Sequence, residues 1–326
     1  MRVATRGARI VLAAAALAVQ ACSSSPGAPG RPSLPSGGAP TELRIGTTAA
    51  GRLTVRSISL EDYVEATILS EFAPAAGDPA VVERMFEVQA VLGRTYALGH
   101  RGRHARDGYD LCDRTHCQLF QPERLLTSRW APQAAAAVRR TRGEVLWFAG
   151  APALAVFHAD CGGRTSSAAE VWGGTARPYL IGRPDDGDAA SAHVAWEYRA
   201  SRSGVLAALN ADPATRVGAR FDALEVIDRD AAGRIEHVTV RGTTPHVVSG
   251  ATLRTALTNA FGARSIRSTW FDVHPDAGGL VFTGRGYGHG VGLCQAGALA
   301  RLRAGASVSA VLERYFPGTR LLRGGR

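Results

Sequence analysis

Lysine does not occur in this chain of 326 residues; all 38 of its basic residues are arginine. A phosphate-gripping P-loop needs that lysine, so this class of nucleotide site is excluded. Long apolar runs are lacking as well, which excludes a polytopic membrane protein. No internal repeat occurs, and beyond Thr41 no long linker, so one compact body is expected rather than two. Cysteine is scarce, with 5 in all, and acids number only 28, leaving a net charge of +10. Apolar residues make up 45% of the chain and charged residues 20%, enough for a core and incompatible with global disorder. Arginine alongside abundant Ala, Gly and Pro is what a GC-rich genome produces. A guanidinium also grips carboxylates and phosphates through paired hydrogen bonds, so an anionic polymer is an allowed partner.

The N-terminus reads as an address. Arg2, Arg6 and Arg9 precede the apolar stretch Ile10–Val19, which is too short to span a bilayer but suits the core of a signal peptide. Val19-Gln20-Ala21-Cys22 is similar to a bacterial lipobox, in which the cysteine becomes the acylated first residue. The expectation is a signal peptide over 1–21, lipidation at Cys22 and a flexible tether over 22–41, made of Ser, Pro, Gly and Ala. The body, from residue 42 to about 320, is then a membrane-anchored lipoprotein domain of the cell envelope, outside the cytoplasm. Ser23 favours the periplasmic face of the outer membrane in a Gram-negative cell.

Along the body, Leu43–Val55 predicts a strand pair. Ser59 is a helix cap for a segment reaching about Phe72. Asp78-Pro79 opens a second helix, apolar at Val81, Met85, Val88 and Leu92 and continuing to about Gly99. Gly143–His158 predicts a hairpin, as does Phe221–Val240 with its break at Asp230–Gly233. Leu253–Phe261 reads as helix and Leu280–Leu293 as extended chain. Two short helices, Gln295–Arg303 and Val308–Tyr315, are divided by Gly305. Strands and helices come in blocks, which predicts an α+β fold of mostly antiparallel sheet with several helices and a substrate cleft.

Three runs carry the chemistry. In GRGYGHGVGLCQAGA (284–298) glycine recurs at every second position from Gly284 to Gly292. Extended chain would put the glycines on one face, open to close approach, and Arg285, Tyr287, His289, Val291 and Leu293 on the other. The run does not fit G-x-G-x-x-G, because His289 fills the third glycine's slot; nucleotide binding is rejected and no nucleic-acid partner is expected. The second run, FHADCGGRTSSAAEVWGG (157–174), brings His158, Cys161 and a Gly-Gly turn. The third is YVEATILSEFAP (63–74) with FEVQAVLGRTYAL (86–98). On a helical wheel Glu71 projects into the apolar half formed by Leu60, Tyr63, Val64, Ile68 and Phe72. A carboxyl so placed is partly desolvated, which raises its pKa and suits general-acid work. Pairing of Glu71 with an arginine such as Arg94 is the alternative, and Glu61 also falls near the apolar arc.

Together these runs resemble the SpoIID/LytB family of bacterial cell-wall proteins. The family's helix ending in Glu and Pro is similar to Tyr63-Val64…Ser70-Glu71-Phe72-Ala73-Pro74, with one residue inserted before the proline. Its next helix is similar to Gln89-Ala90-Val91…Arg94-Thr95-Tyr96-Ala97-Leu98. Its His-x-x-x-Gly-Gly turn resembles His158…Gly162-Gly163…Val171-Trp172, and its glycine strand resembles Gly286–Gly292 followed by Gln295. Tyr315-Phe316-Pro317-Gly318-Thr319 fits its close. The resemblance implies a lytic transglycosylase in which Glu71 is the catalytic acid. It also implies Gln89, Arg94, His158, Arg285, Tyr287, His289 and Gln295 as substrate contacts, with Arg94 and Arg285 facing the lactyl carboxylates of denuded glycan. One acid suffices when the substrate's own 6-hydroxyl closes a 1,6-anhydro ring, so no cofactor is required for catalysis. Relatives of the LytB kind imply the other reading, a non-catalytic glycan-binding enhancer of a cell-wall amidase.

Four cysteines follow Cys22, and an even count outside the cytoplasm favours pairing. By the resemblance His158's turn and the glycine strand line one cleft, which implies a Cys161–Cys294 disulfide. Cys112 and Cys117, with His104 and His116, make four zinc ligands of the right type, and one sporulation branch of the family carries a structural zinc in this region. A short-loop Cys112–Cys117 disulfide is the equal alternative.

Overall fold

The computed structural model describes residues 42–186 and 195–323. The expected signal peptide, the lipidation site at Cys22 and the expected tether lie outside these residues. Among the described residues no helix is long and apolar enough to cross a membrane.

The chain enters as a hairpin, β1 (Glu42–Ala49) antiparallel to β2 (Arg52–Ser59). Ser59 ends it and starts α1 (Leu60–Glu71), its hydroxyl accepting the Asp62 N–H at 3.1 Å. Asp78 caps α2 (Pro79–Gly99) through the N–H groups of Ala80 and Val81, with proline at the first turn. Both helices thus begin where cap chemistry requires. From Val82 to Leu98, α2 is buried almost all round, the signature of a central core helix. Each Val, Leu, Met or Phe so buried contributes about 1.5–3 kcal/mol.

β3 (Leu111–Cys112) adds to β1 in parallel. The short α3 (Arg124–Thr127) and α4 (Ala131–Arg140) follow, and α4 packs on α1 and α2. The hairpin expected over 143–158 forms only in its first half. β4 (Glu144–Phe148) turns at Ala149-Gly150, both at positive φ, into the two-residue β5 (Ala151–Pro152). The chain then departs, and β6 (Phe157–His158) finds its partner 136 residues downstream (Phe157 with Leu293). A capping box on Ser167 and Glu170 fixes α5 (Ala168–Trp172).

A lobe with its own apolar cluster, including Trp196, Phe221, Leu253, Phe271 and Phe282, occupies the next stretch. It comprises β7 (Trp196–Ser201), α6 (Arg202–Ala211), β8 (Phe221–Arg229), β9 (Ile235–Gly242), β10 (His246–Ser249), α7 (Gly250–Phe261), β11 (Phe271–Asp276) and β12 (Gly279–Gly284). Two antiparallel sheets result, ordered β10-β9-β8 and β11-β12-β7. The chain returns through β13 (Leu293–Cys294), parallel to β6, then α8 (Gln295–Arg303), α9 (Val308–Tyr315) and β14 (Arg320–Arg323), which pairs with β4. The fold is α+β with mostly antiparallel sheets.

The glycine run corrects the sequence reading. Only Gly284 belongs to a strand; Gly286, Gly288, Gly290 and Gly292 all sit at positive φ, between 73° and 111°. The segment therefore zigzags through isolated bridges rather than running extended. The glycines are still demanded by close approach. A Cβ on Gly292 would come within 2.2 Å of the Val156 carbonyl, and one on Gly288 within 2.7 Å of the His158 Cβ.

Candidate functional site

Glu71 is the last residue of α1. Its neighbour Phe72 leaves the helix and packs edge-on against Phe86 at 5.7 Å, so the residue inserted before Pro74 falls beyond the helix and leaves Glu71 in place. One face of α1 pins the segment 118–121. Tyr63 donates to the Gln118 side chain at 3.2 Å, Ser70 accepts the Gln121 N–H at 3.0 Å, and Glu71 Oε1 accepts the Leu119 N–H at 2.6 Å. Burial raises the Glu71 pKa above the usual carboxylate value, and the Leu119 hydrogen bond opposes this less strongly. No arginine takes part in that balance.

The arginine that could have neutralised it is engaged elsewhere. Arg94, wholly buried, is held by both oxygens of Glu61 at 3.0 and 2.7 Å and donates to the Ala90 and Glu144 carbonyls. A buried guanidinium must be paired in this way to be tolerated. Arg94 is thus a strut between α1, α2 and β4; its burial prevents the substrate contact expected of it. Gln89 lies on the same buried helix with 1% exposure and equally cannot face a ligand.

Gln295, first residue of α8, donates to the Glu71 carbonyl at 3.3 Å. Behind it, Cys294 is in register with His158. The Cys294 sulfur accepts the Cys161 N–H at 3.2 Å, and the ligand atoms of His158, Cys161 and Cys294 lie within 4.8 Å of one another. The two cysteines the resemblance pairs are therefore neighbours. His158 is buried, with Nδ1 against the Val291 carbonyl at 3.1 Å. Burial, then His289 and Arg234, push its pKa well down, so it is a neutral structural ring rather than a substrate contact. His289 accepts the Val291 N–H at 3.0 Å and is pushed down to about 3 by burial, Arg254 and Arg234, against a hydrogen bond to the Phe157 backbone. The ring is half-buried. Its faces meet His158 at 5.5 Å and the exposed Trp172 at 5.0 Å.

Arg285 is exposed and lies over the Trp270 ring at 4.8 Å, placed to meet an anion. Tyr287 exchanges backbone hydrogen bonds with Asp160 and donates its hydroxyl to the Ala263 carbonyl at 3.2 Å.

The second constellation assembles as the sequence grouped it. The ligand atoms of His104, Cys112, His116 and Cys117 all lie within 4.8 Å of one another, and neither Cys112 nor Cys117 is in a disulfide. His104 Nε2 stands 3.5 Å from the Cys117 sulfur, and His116 Nδ1 stands 3.8 Å from each of the two sulfurs. Tetrahedral zinc with ordinary Zn–S and Zn–N bonds separates such atoms by about 3.6 Å. Asp107 holds the other nitrogen of His104 at 3.2 Å, the outer-shell carboxylate that orients a ligating imidazole. Arg103 approaches His116 Nε2 at 3.2 Å; ligation through Nδ1 would put a proton there and displace this exposed arginine. The residues fit zinc.

Sequence reasoning missed the Leu119 N–H, a backbone donor with no side-chain signal, and gave Trp172 no role. The choice of Glu61 over Glu71 as partner for Arg94 did have a signal. A connection as short as 72–78 folds α2 back antiparallel to α1, so the late residue of one meets the early residue of the other.

Comparison with known proteins agrees with this geometry. Residues 49–148 match the Stage II sporulation protein family (SpoIID), and residues 185–292 match a domain of unknown function. The amidase enhancer of Bacillus subtilis is 26% identical over 72% of this chain, which spans 37% of that protein's length. Stage II sporulation protein D of the same organism is 24% identical, covering 82% of this chain and 76% of its own. An uncharacterised protein of Brachyspira hyodysenteriae is 29% identical over 82% of this chain and 67% of its own. A sporulation-protein domain that runs through α1 and α2 to β4, with relatives of both the sporulation and the enhancer kind along most of the chain, supports a SpoIID/LytB-family assignment.

Proposed function

We propose that this cell-wall protein is a lytic transglycosylase cleaving between N-acetylmuramic acid and N-acetylglucosamine in peptidoglycan glycan, with preference for denuded strands. The observation that carries the reading is Glu71, a half-buried carboxyl at a helix end whose pKa is raised by burial, with Arg94, the partner the sequence offered it, committed to Glu61. Oε1 is occupied by the Leu119 N–H, so Oε2 is the oxygen that carries the proton. As an acid it protonates the leaving glycosidic oxygen. As carboxylate it then accepts the proton of the muramyl 6-hydroxyl as that oxygen closes on C1, giving a 1,6-anhydro end with no water consumed. The substrate supplies its own nucleophile, so no second carboxylate is needed. Arg285 is the candidate for the lactyl carboxylate.

The test is mass spectrometry of glycan strands, with and without stem peptides, exposed to the full chain. Products one water lighter than hydrolysis products are expected. Glu71→Gln should lower the rate at least ~100-fold while the fold persists; near-normal cleavage by that variant sinks the assignment. The enhancer relative favours a second reading, a non-catalytic partner of a cell-wall amidase, for which Glu71→Gln would cost nothing.

Two further parts of the reading go with it. His104, Cys112, His116 and Cys117 would hold a structural zinc, which fixes the loop that leads into Leu119 and supplies no chemistry to the reaction. Cys22 would carry the lipid that anchors the protein outside the cytoplasm; incorporation of labelled fatty acid, abolished by Cys22→Ala, is the expected result, and unchanged labelling refutes it.

A further inference from the structure

Among the described residues Trp172 is the one aromatic side chain left largely in water, 47% exposed, whereas Trp130 and Trp196 are buried. A large apolar ring normally gains by burial, and this one is not idle on a loose loop. The capping box on Ser167 and Glu170 fixes the α5 turn that carries it. Val171 beside it packs into the same apolar cluster as Phe72, the residue after Glu71. The ring rests on His289 at 5.0 Å, and His289 is itself immobilised by its bonds to backbone and by His158. Beyond the ring, Gly173 and Gly174, both at positive φ, carry no side chain to shade it.

A relay of contacts leads from Trp172 to the helix end that carries the acid. Trp172 touches His289, His289 touches His158, His158 is in register with Cys294, and the next residue, Gln295, holds the Glu71 carbonyl. An aromatic face held rigid, open to solvent and tied to the Glu71 helix end through these contacts matches the apolar C–H face of a pyranose ring. Stacking of that kind uses the ring's negative face and costs little side-chain entropy when the ring is already fixed.

We propose that Trp172 is the platform for a sugar ring of the glycan strand in a subsite neighbouring the cleavage point, with His289 as the positioning residue that holds the indole rather than a contact to substrate. This rests on the glycan reading above and adds where the strand lies. Its occupant is a pyranose; a partner protein using the same ring is an outcome of the test.

Denuded glycan strands titrated calorimetrically into the full chain carrying Glu71→Gln, which does not consume them, give the reference affinity. Adding Trp172→Ala should weaken binding about tenfold, and Trp172→Phe should recover most of the loss. Binding should also quench or shift indole emission in the Glu71→Gln protein, and that signal should vanish in Trp172→Phe although calorimetry still reports binding. A merely structural tryptophan would not separate the two readouts. Equal affinity with and without Trp172, thermal unfolding being unchanged, overturns the platform and leaves the glycan reading standing, with a protein partner as the ring's use. Failure of the unsubstituted chain to bind or cleave glycan overturns both.

Discussion

Two glutamates of α1 lie ten residues apart and have opposite assignments. Glu61 holds Arg94 with both oxygens, while Glu71 has a backbone N–H and a raised pKa. A carboxyl whose pKa is raised on folding costs stability wherever it is ionised, above its unfolded value, and the cost fades as pH falls. Glu71→Gln should therefore unfold no earlier than the native chain at neutral pH. Glu61→Ala should instead lose about 3 kcal/mol, because it strands a buried guanidinium. Urea unfolding of the two variants checks this; equal loss in both would refute the division. A helical wheel set both residues on the apolar arc and could not separate them. What separates them is the direction of α2, a tertiary fact.

At the scale of elements, α1 and α2 were legible because each begins at a side-chain cap, and Ser59 and Asp78 accept the expected N–H groups; α8 and α9 were legible from the break at Gly305. The glycine run was not, because period-two reading assumes residues confined to extended φ, and glycine is free of that limit. β6 was not either, since its partner lies on the far side of the lobe. The loop from His104 to Gln121 makes a prediction of its own. Purified protein should contain one zinc, lost in Cys117→Ala, and chelation should lower the hydrogen-exchange protection of the Leu119 amide that bonds Glu71. A metal-free protein in which Cys112 and Cys117 resist thiol labelling until reduced would refute it.

For the molecule as a whole, the imidazole pair of His158 and His289 sets an acid limit. His158 and His289 are neutral when folded and have depressed pKa values. The unfolded chain therefore takes up protons that the fold refuses. Their contribution is intact above the ordinary histidine value near 6.5 and is lost as pH falls toward about 3, the value for His289. Between pH 7 and 5 His289 should cost about 2 kcal/mol. His289→Asn should remove its share of the slope in denaturant unfolding at the two pH values; an unaltered slope would refute it.

The bond from Gln295 to Glu71 joins positions 224 residues apart, and the strand that delivers Gln295 pairs with β6 only after the entire lobe has been made. Order of synthesis thus acts as a safeguard. A chain still emerging from the ribosome has Glu71 made early but cannot form the bond that holds its carbonyl until Gln295 is out. The same long-range closure, slow by its topology, means that a fragment clipped before Leu293 lacks both the partner of β6 and the bond to the Glu71 carbonyl.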